Sequence, residues 1–153
     1  IDDRYDPVQL ASHGGLKLMA TPVADLAQLR ELLDEDVAVV GIDEGQFLGP
    51  GIVDLCEELA NAGKRVIVAG LDQDWRGQPF SPMDRLLAVS ESVTKVLAIC
   101  TVCGNPANRS QKVVAGDDLF CVGAAESYEA RCRRHFDPDD LRTHDRVRAQ
   151  EKP

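Results

Sequence analysis

The sequence has little positive charge and no long apolar segment. Lys and Arg number 17 against 26 Asp and Glu, which gives a formal net charge of −9 at pH 7 and a pI near 4.7. This balance argues against a dedicated nucleic-acid-binding module, which needs a basic surface for the phosphate backbone. No run approaches the roughly 20 apolar residues of a membrane-spanning helix, and no apolar leader precedes a small-residue cleavage site. We therefore expect a globular, cytoplasmic protein.

Cysteine is scarce, but its spacing is informative. An odd total of five, without a secretion signal, argues against a disulfide framework. Cys100 and Cys103 are separated by two residues, and after 28 further residues so are Cys132 and His135. Each pair can chelate one side of a tetrahedral ion, and three thiolates with one imidazole form a closed structural zinc set. The spacing therefore predicts an architectural zinc site.

Two other interpretations of these residues stay open, namely a redox Cys-x-x-Cys motif and two unrelated thiol pairs. A redox motif is expected on the turn that opens a helix, whereas the Gly-Asn-Pro sequence after Cys103 suits a knuckle turn. The remaining cysteines, Cys56 and Cys121, are interpreted as small buried hydrophobic residues.

The hydrophobic pattern alternates between strands and helices. Apolar runs predict strands at 17–20, 37–42, 65–71 and 95–99. Helical spacing predicts helices at 24–33, from Ile52 to a cap at Gly63, and at 83–89. The apolar face of the first helix would consist of Leu26, Leu29, Leu32 and Leu33. This order is typical of a parallel α/β sheet with right-handed crossovers.

The amino-acid composition of the chain changes after residue 99. Glycine, asparagine and short β-like runs replace the long apolar segments, and the last stretch is almost entirely charged or polar. We expect an α/β domain over residues 1–99, a zinc-binding lobe over 100–136 and a flexible charged tail over 137–153.

Two carboxylates, Asp43 and Glu44, follow the apolar strand VVGI. In nucleotide-binding α/β folds such a position lies at the carboxyl edge of the sheet, where Mg²⁺ and phosphates bind. Glu44 beside a Mg²⁺ ligand could then act as a general base towards a hydroxyl group. The pattern alone is weak, because many buried strands end in Asp. No G-x-x-x-x-G-K-[ST] phosphate loop occurs in the 153 residues, so either this is not a P-loop enzyme or the loop lies upstream of Ile1.

Several separated motifs resemble those of type II, zinc-containing thymidine kinases. They are IDEGQF at 42–47, ANAGKRVIVAGLDQDWRGQPF at 60–80, SESVTK at 90–95, CTVC at 100–103 and VGAAESYEARCRRH at 122–135. The opening IDDRY and the later SHGGLKLMA resemble the family's segment between its phosphate loop and its Asp-Glu strand. The resemblance extends from Ile1 to about His135, and it favours a gene product that continues upstream.

The resemblance implies transfer of the γ-phosphate of Mg-ATP to the 5′-hydroxyl of thymidine. It also implies a RecA-like parallel sheet, here without its first strand and phosphate loop, and a zinc-ribbon-like lobe that forms a lasso over the base. A homotetramer and feedback inhibition by thymidine triphosphate are expected as well. Because nothing would cradle the β- and γ-phosphates, we expect the chain as given to be a poor catalyst.

The family's functional residues can be placed on this sequence through the matching motifs. Glu44 would be the catalytic base, and Asp43 would help to hold Mg²⁺ through water. Asp2, Arg4 and Gln46 would lie among the residues near Mg²⁺ and the phosphates. The nucleoside contacts would be Phe47, Leu71, Trp75, Phe80, Ser110, Leu119, Cys121, Gly123 and Tyr128.

Alternatives to these assignments remain. Phe80 and Tyr128 could be packing residues, Arg76 could contact a carboxylate, and Trp75 stands where many relatives have Phe. One rival function is a deoxynucleoside kinase of broader range. Another is a non-enzymatic zinc-ribbon interaction module, which would bind no nucleoside.

Overall fold

The computed structural model describes residues 9–11, 17–113 and 127–139. Its elements in chain order are β1 Gln9–Ala11, β2 Lys17–Met19, α1 Leu26–Glu31, β3 Val39–Ile42, a 3₁₀ turn Gly45–Phe47, α2 Gly51–Asn61, β4 Arg65–Val68, α3 Met83–Val89, β5 Ala98–Ile99, β6 Pro106–Ala107, β7 Arg109–Lys112 and β8 Tyr128–Arg131. Within the described part, no helix is long and apolar enough to cross a membrane.

The chain divides into two compact units. The first lies within Ile1–Asp72 and Phe80–Ser90, and the second within Gln73–Pro79 and Glu91–Pro153. The loop 73–79 groups with the second unit. The domain boundaries at residues 99 and 136 stay a prediction.

The first unit contains the predicted parallel sheet. Strands β3 and β4 pair in parallel with Val39 opposite Arg65 and Ile42 opposite Val68. Parallel neighbours need a long crossover, and α2 provides it. Strands β1 and β2 form a separate antiparallel pair. The α/β class and the parallel pairing predicted from the apolar runs are therefore confirmed.

Helix α2 forms because its apolar residues recur on one face. Ile52, Val53, Leu55, Cys56 and Leu59 are buried. A valine, leucine or isoleucine side chain stabilises the fold by about 1.5–3 kcal/mol when fully removed from water. The buried side chains of α2 pack with Val40 and Ile42 of β3 and with Met83 and Leu86 of α3 in one core. This core fixes the edge of the sheet where the carboxylates follow.

The end of α2 is set by Gly63, as predicted. Gly63 has φ +83°, a conformation that costs glycine little. Its N–H donates to the Ala60 carbonyl at 2.9 Å, and the Lys64 N–H donates to the Leu59 carbonyl at 3.1 Å. These bonds satisfy the last carbonyls of the helix and direct the chain into β4.

Helix α1 is shorter than predicted. It begins after Asp25, whose carboxylate accepts a hydrogen bond from the Gln28 N–H at 2.9 Å, and it ends at Glu31. Leu26, Leu29 and Leu33 pack against the core. Leu32 is 51% exposed, so its assignment to the buried face was wrong. The reason is that the helix has already ended, and Leu32 lies in the terminal turn.

The second unit contains two antiparallel pairs, β5 with β6 and β7 with β8. The strand predicted at 95–99 was expected to extend the parallel sheet. That expectation was wrong, because only Ala98–Ile99 is a strand and its partner is β6. Adjacent backbone bonds hold this segment in the second unit: the Cys100 N–H donates to the Asn105 carbonyl at 2.8 Å, and the Thr101 N–H donates to the Ala130 carbonyl at 3.0 Å.

Candidate active site and metal centre

Glu44 lies immediately beyond the carboxyl end of β3. Its backbone is left-handed, with φ 54° and ψ 39°. A non-glycine residue in this region costs roughly 1–3 kcal/mol, and such strained residues cluster at active sites and ligand-binding sites. The turn is held by its neighbours, since the Gly45 N–H donates to the Ala69 carbonyl at 3.0 Å and the Glu44 N–H donates to Asp43 Oδ1 at 2.9 Å. Asp43 and Glu44 are both exposed at this edge.

Gly45 allows this turn to approach β4 closely. A Cβ atom at Gly45 would lie 2.7 Å from Cγ1 of Val68 and 3.3 Å from Sδ of Met83. Any side chain here would push the carboxylate-bearing turn away from the sheet. The glycine in IDEGQF is therefore a packing requirement of the site.

Gln46 is buried, with 5% of its surface exposed. Its Nε2 donates to Oε2 of Glu44, and its Oε1 accepts from the Leu71 N–H at 3.1 Å. The sequence assigned Gln46 to the surroundings of the cofactor. In the structure its amide bonds to a carboxylate and to a backbone N–H of the same unit.

The nucleoside contacts assigned to the first unit differ in exposure. Phe47 is 56% and Leu71 is 52% exposed, so both are open to a ligand. Phe80 is only 8% exposed, and its N–H donates to the Asp72 carbonyl at 3.0 Å. Phe80 therefore has the burial of a packing residue.

Trp75 lies in a tight loop of the second unit. Asp74 Oδ1 accepts hydrogen bonds from the N–H groups of Arg76 and Gln78, at 2.9 and 2.8 Å. The Arg76 guanidinium carbon lies 4.4 Å, and the Lys112 ammonium 5.0 Å, from the centroid of the indole ring. Such cations are attracted by the ring face. Among the described residues the buried Trp75 Nε1 has no hydrogen-bond acceptor.

Ser110 and Tyr128 lie on the paired strands β7 and β8. Lys112 is opposite Tyr128, and Ser110 is opposite Ala130. Residues opposite each other or two apart share a face of an antiparallel pair, so Ser110 and Tyr128 belong to the same face. Lys112 on this face also contacts Trp75. Lys112 therefore neighbours two predicted nucleoside contacts, Trp75 and Tyr128, and lies on the face that carries Ser110.

Lys112 was not predicted from the sequence. It is 4% exposed, which is unusual for lysine. The strand RSQK is polar throughout and carries no apolar alternation that would indicate a buried position. Five further predicted residues lie outside the described ranges: Asp2, Arg4, Leu119, Cys121 and Gly123.

The four predicted zinc ligands converge. Their ligand atoms all lie within 4.8 Å of one another. Cys103 Sγ is 3.8 Å from Cys132 Sγ, and His135 Nδ1 is 3.4 Å from Cys132 Sγ and 3.8 Å from Cys100 Sγ. A tetrahedron with ordinary Zn–S and Zn–N bonds has S···S edges of about 3.8 Å and S···N edges of about 3.6 Å. The donor set therefore fits zinc in number, type and spacing.

Both halves of the cluster are tight turns. The Gly104 N–H donates to the Cys100 carbonyl at 2.9 Å, and the φ of +73° at Gly104 closes this turn. The His135 N–H donates to the Cys132 carbonyl at 3.0 Å and closes the other. The knuckle predicted from the Gly-Asn-Pro sequence is present.

The two thiols of the first knuckle differ in acidity. Burial raises the pKa of Cys100, but hydrogen bonds from backbone N–H groups of both knuckles, together with the hydrogen bond to the His135 ring, lower the pKa to about 5. For Cys103, a backbone bond from Asn105 lowers the pKa, but burial and the neighbouring thiols outweigh it and raise the pKa above the usual range. Cys100 is therefore ready as a thiolate ligand, whereas Cys103 must lose a proton. By contrast, Cys56 is buried in the α2 core, and burial raises its pKa.

Comparison with known proteins identifies the family. A family model described as Thymidine kinase matches residues 1–136. The thymidine kinase of Bdellovibrio bacteriovorus is 50% identical over 139 residues, which cover 91% of this chain and 68% of that protein. A thymidine kinase of a Rhodothermus species is 51% identical over 138 residues, which cover 90% of this chain and 64% of that protein. The chain thus spans about two thirds of the length of these relatives, and it belongs to the thymidine kinase family.

Proposed function

We propose that the complete protein is a thymidine kinase that transfers the γ-phosphate of ATP to the 5′-hydroxyl of thymidine. The observation that carries the proposal is the position of Glu44, exposed beyond a parallel strand and hydrogen-bonded by Gln46, in a chain of this family. A carboxylate at this edge of an α/β sheet is suitably placed for phosphoryl transfer chemistry.

In the proposed reaction Glu44 accepts the proton of the 5′-hydroxyl. The nucleoside oxygen then bonds to the γ-phosphorus, the bond to the bridging oxygen of ADP breaks, and ADP leaves. Asp43 would hold Mg²⁺ through water, and Asp2 and Arg4 would act near the phosphates. Bound Mg²⁺ would neutralise charge on the phosphate oxygens. The sheet would be of the RecA-like kind.

Nucleoside contacts are proposed in each unit by itself. Leu71 and Phe47 of the first unit are exposed apolar side chains, as walls for a flat base require. In the second unit the proposed contacts are Trp75, Ser110 and Tyr128, together with Leu119, Cys121 and Gly123. Phe80, which is buried in the first unit, completes the proposed contacts.

We propose that the Cys100, Cys103, Cys132 and His135 cluster holds a structural zinc ion. The four ligands fill a tetrahedral shell and leave no position for a substrate. The cluster joins the segment before β6 to the segment after β8, so bound zinc would fix both ends of the chain between Cys103 and Cys132. The proposal also includes a cytoplasmic homotetramer that thymidine triphosphate inhibits by competing with thymidine.

The experiment uses the full-length gene product with Mg-ATP and four nucleosides: thymidine, deoxyuridine, deoxycytidine and deoxyguanosine. We expect selective phosphorylation of thymidine and a loss of kcat of about 100-fold or more in Glu44→Gln, with thymidine binding retained. Glu58→Gln, a surface carboxylate on α2, is the matched control and should keep full activity. Equal rates on several nucleosides would indicate a broader kinase, and absence of nucleoside binding by the folded protein would favour an interaction module.

A further inference from the structure

We propose that Gln46 is a positioning residue, which holds the carboxylate of Glu44 in its reactive orientation and joins it to the backbone at Leu71. The inference rests on the proposed function, because it assigns Gln46 an effect on catalysis that passes through Glu44. It differs from a cofactor contact, which was the role that the motif alone indicated.

The hydrogen bonds of Gln46 define its orientation. A buried amide is costly unless its donor and acceptor are both paired. The carboxylate of Glu44 can only accept, and the Leu71 N–H can only donate, so Nε2 must face Glu44 and Oε1 must face Leu71. A flipped amide would set oxygen against oxygen and N–H against N–H. The side chain therefore has one satisfactory orientation.

The surroundings of Gln46 leave little space for another rotamer. A Cβ atom placed on Gly70 would lie 2.5 Å from Oε1 of Gln46 and 3.0 Å from Sδ of Met83. Gly70 thus permits the amide to pack directly on the backbone after β4. A long, flexible side chain is fixed here by its enclosure as well as by its bonds.

Glu44 depends on such a fixed partner because its own position is exposed. Its left-handed backbone is set by the turn, but an exposed glutamate side chain otherwise retains several rotamers. The bond from Gln46 selects among them. A general base must lie within hydrogen-bond reach of the proton that it accepts, and small misplacements of reacting groups reduce rates by up to about 100-fold.

The second bond gives Gln46 a further role. Leu71 follows β4 and is a proposed wall of the nucleoside site, and its N–H is held by the same amide that holds Glu44. One side chain therefore bonds both to the general base Glu44 and to the backbone of Leu71. Gln46→Met loses both bonds at similar volume, whereas Gln46→Glu keeps an acceptor for Leu71 and places a second carboxylate against Glu44.

The test is a double-mutant cycle on the full-length protein, with kcat and KM measured for Glu44→Gln, Gln46→Met and the double variant. We expect Gln46→Met to lower kcat by about 10- to 100-fold, with less than about a threefold change in thymidine Kd. In the Glu44→Gln background the same change should have almost no further effect, because residues that act through one group are not additive. Equal losses in both backgrounds would overturn the inference.

Gln46→Glu provides a second readout, which also serves if Gln46→Met folds poorly. Two neighbouring carboxylates resist simultaneous ionisation, so the acidic limb of the pH–rate profile should move to higher pH. An unchanged profile would contradict the inference. Failure of the proposed function is distinguishable, because then Glu44→Gln alone would retain the activity of the unmodified protein.

Discussion

Cys103 Sγ and Cys132 Sγ lie 3.8 Å apart although 28 residues separate them in the chain. This distance matches the S···S edge expected of a zinc tetrahedron and is far longer than the sulfur–sulfur bond of a disulfide, which is about 2.0 Å. The contact joins two knuckles whose backbone turns are each closed by their own hydrogen bonds. The second unit is therefore organised so that one ion can fix two distant segments.

Loss of one ligand should remove the metal. We expect about one zinc per chain in the unmodified protein and almost none in Cys132→Ala, because three remaining ligands hold the ion far less well. Thymidine affinity should fall with the zinc content. Metal analysis by mass spectrometry with parallel calorimetry tests both statements. Cys56→Ala is the control, since Cys56 lies in the α2 core, and a loss of zinc in this variant would contradict the assignment.

Zinc affinity should rise with pH across the neutral range. Cys100, with its pKa lowered to about 5, is already a thiolate there, so it contributes little to the pH dependence. Cys103 has a raised pKa and must release a proton when zinc binds, so acid favours the metal-free form. Competition with a chromophoric chelator between about pH 6 and pH 8 measures this, with the chelator's own titration subtracted. An affinity independent of pH would contradict the raised pKa of Cys103.

Trp75→Phe should weaken thymidine binding without destabilising the free protein. A buried donor without an acceptor costs about 1–3 kcal/mol, and phenylalanine removes the donor while keeping an aromatic ring. If the nucleoside supplies the acceptor, loss of the hydrogen bond from Trp75 Nε1 should raise the Kd for thymidine by roughly 3- to 10-fold. Thermal unfolding with and without thymidine separates the two effects. Trp75→Leu, which removes ring and donor together, should bind still more weakly; unchanged affinity in Trp75→Phe would exclude the hydrogen bond.

The local spacing of apolar residues predicted the first unit well where a helix or strand packs one face against the hydrophobic core. Helix α2 has apolar residues at helical spacing and a glycine after its end, and both features were confirmed. The cluster of three cysteines and one histidine was recognisable because each pair is local, even though the two pairs are distant from each other in the chain. The end of α1 was not recognisable, and Leu32 was misassigned because helical spacing continues beyond the hydrogen-bonded turns.

Features that depend on tertiary pairing could not be predicted. The run ending in Ile99 is as apolar as a buried strand, but it pairs with β6. The turn that begins at Cys100 brings β6 beside it. The left-handed backbone of Glu44 and the two bonds of Gln46 arise from the approach of β4, which no local pattern encodes. Lys112 is buried through a strand pairing between segments distant in sequence.

The ion pair between Arg30 of α1 and Glu58 of α2 should make a small, pH-dependent contribution to stability. Arg30 Nη1 lies 2.7 Å from Glu58 Oε2, and Nη2 lies 3.1 Å from Oε1. The hydrogen bond from Arg30 lowers the pKa of Glu58 below its ordinary value. A carboxylate with a lowered folded-state pKa stabilises the fold above its unfolded-state pKa, and this stabilisation disappears as pH falls through the folded-state value.

Arg30→Met should therefore reduce Tm slightly at neutral pH, by less at high salt, and not at all once Glu58 is protonated in both states. Unfolding curves at neutral and acidic pH, each at low and high salt, provide the measurement. Arg85→Met is the control, because it removes an equal charge from α3, where the described residues offer Arg85 no ion-pair partner. The change in Tm that it causes should therefore not vary with pH in the range where a glutamate titrates. If both variants lose the same Tm at every pH, the effect comes from net charge or apolar contact, and the Arg30–Glu58 pair contributes nothing specific.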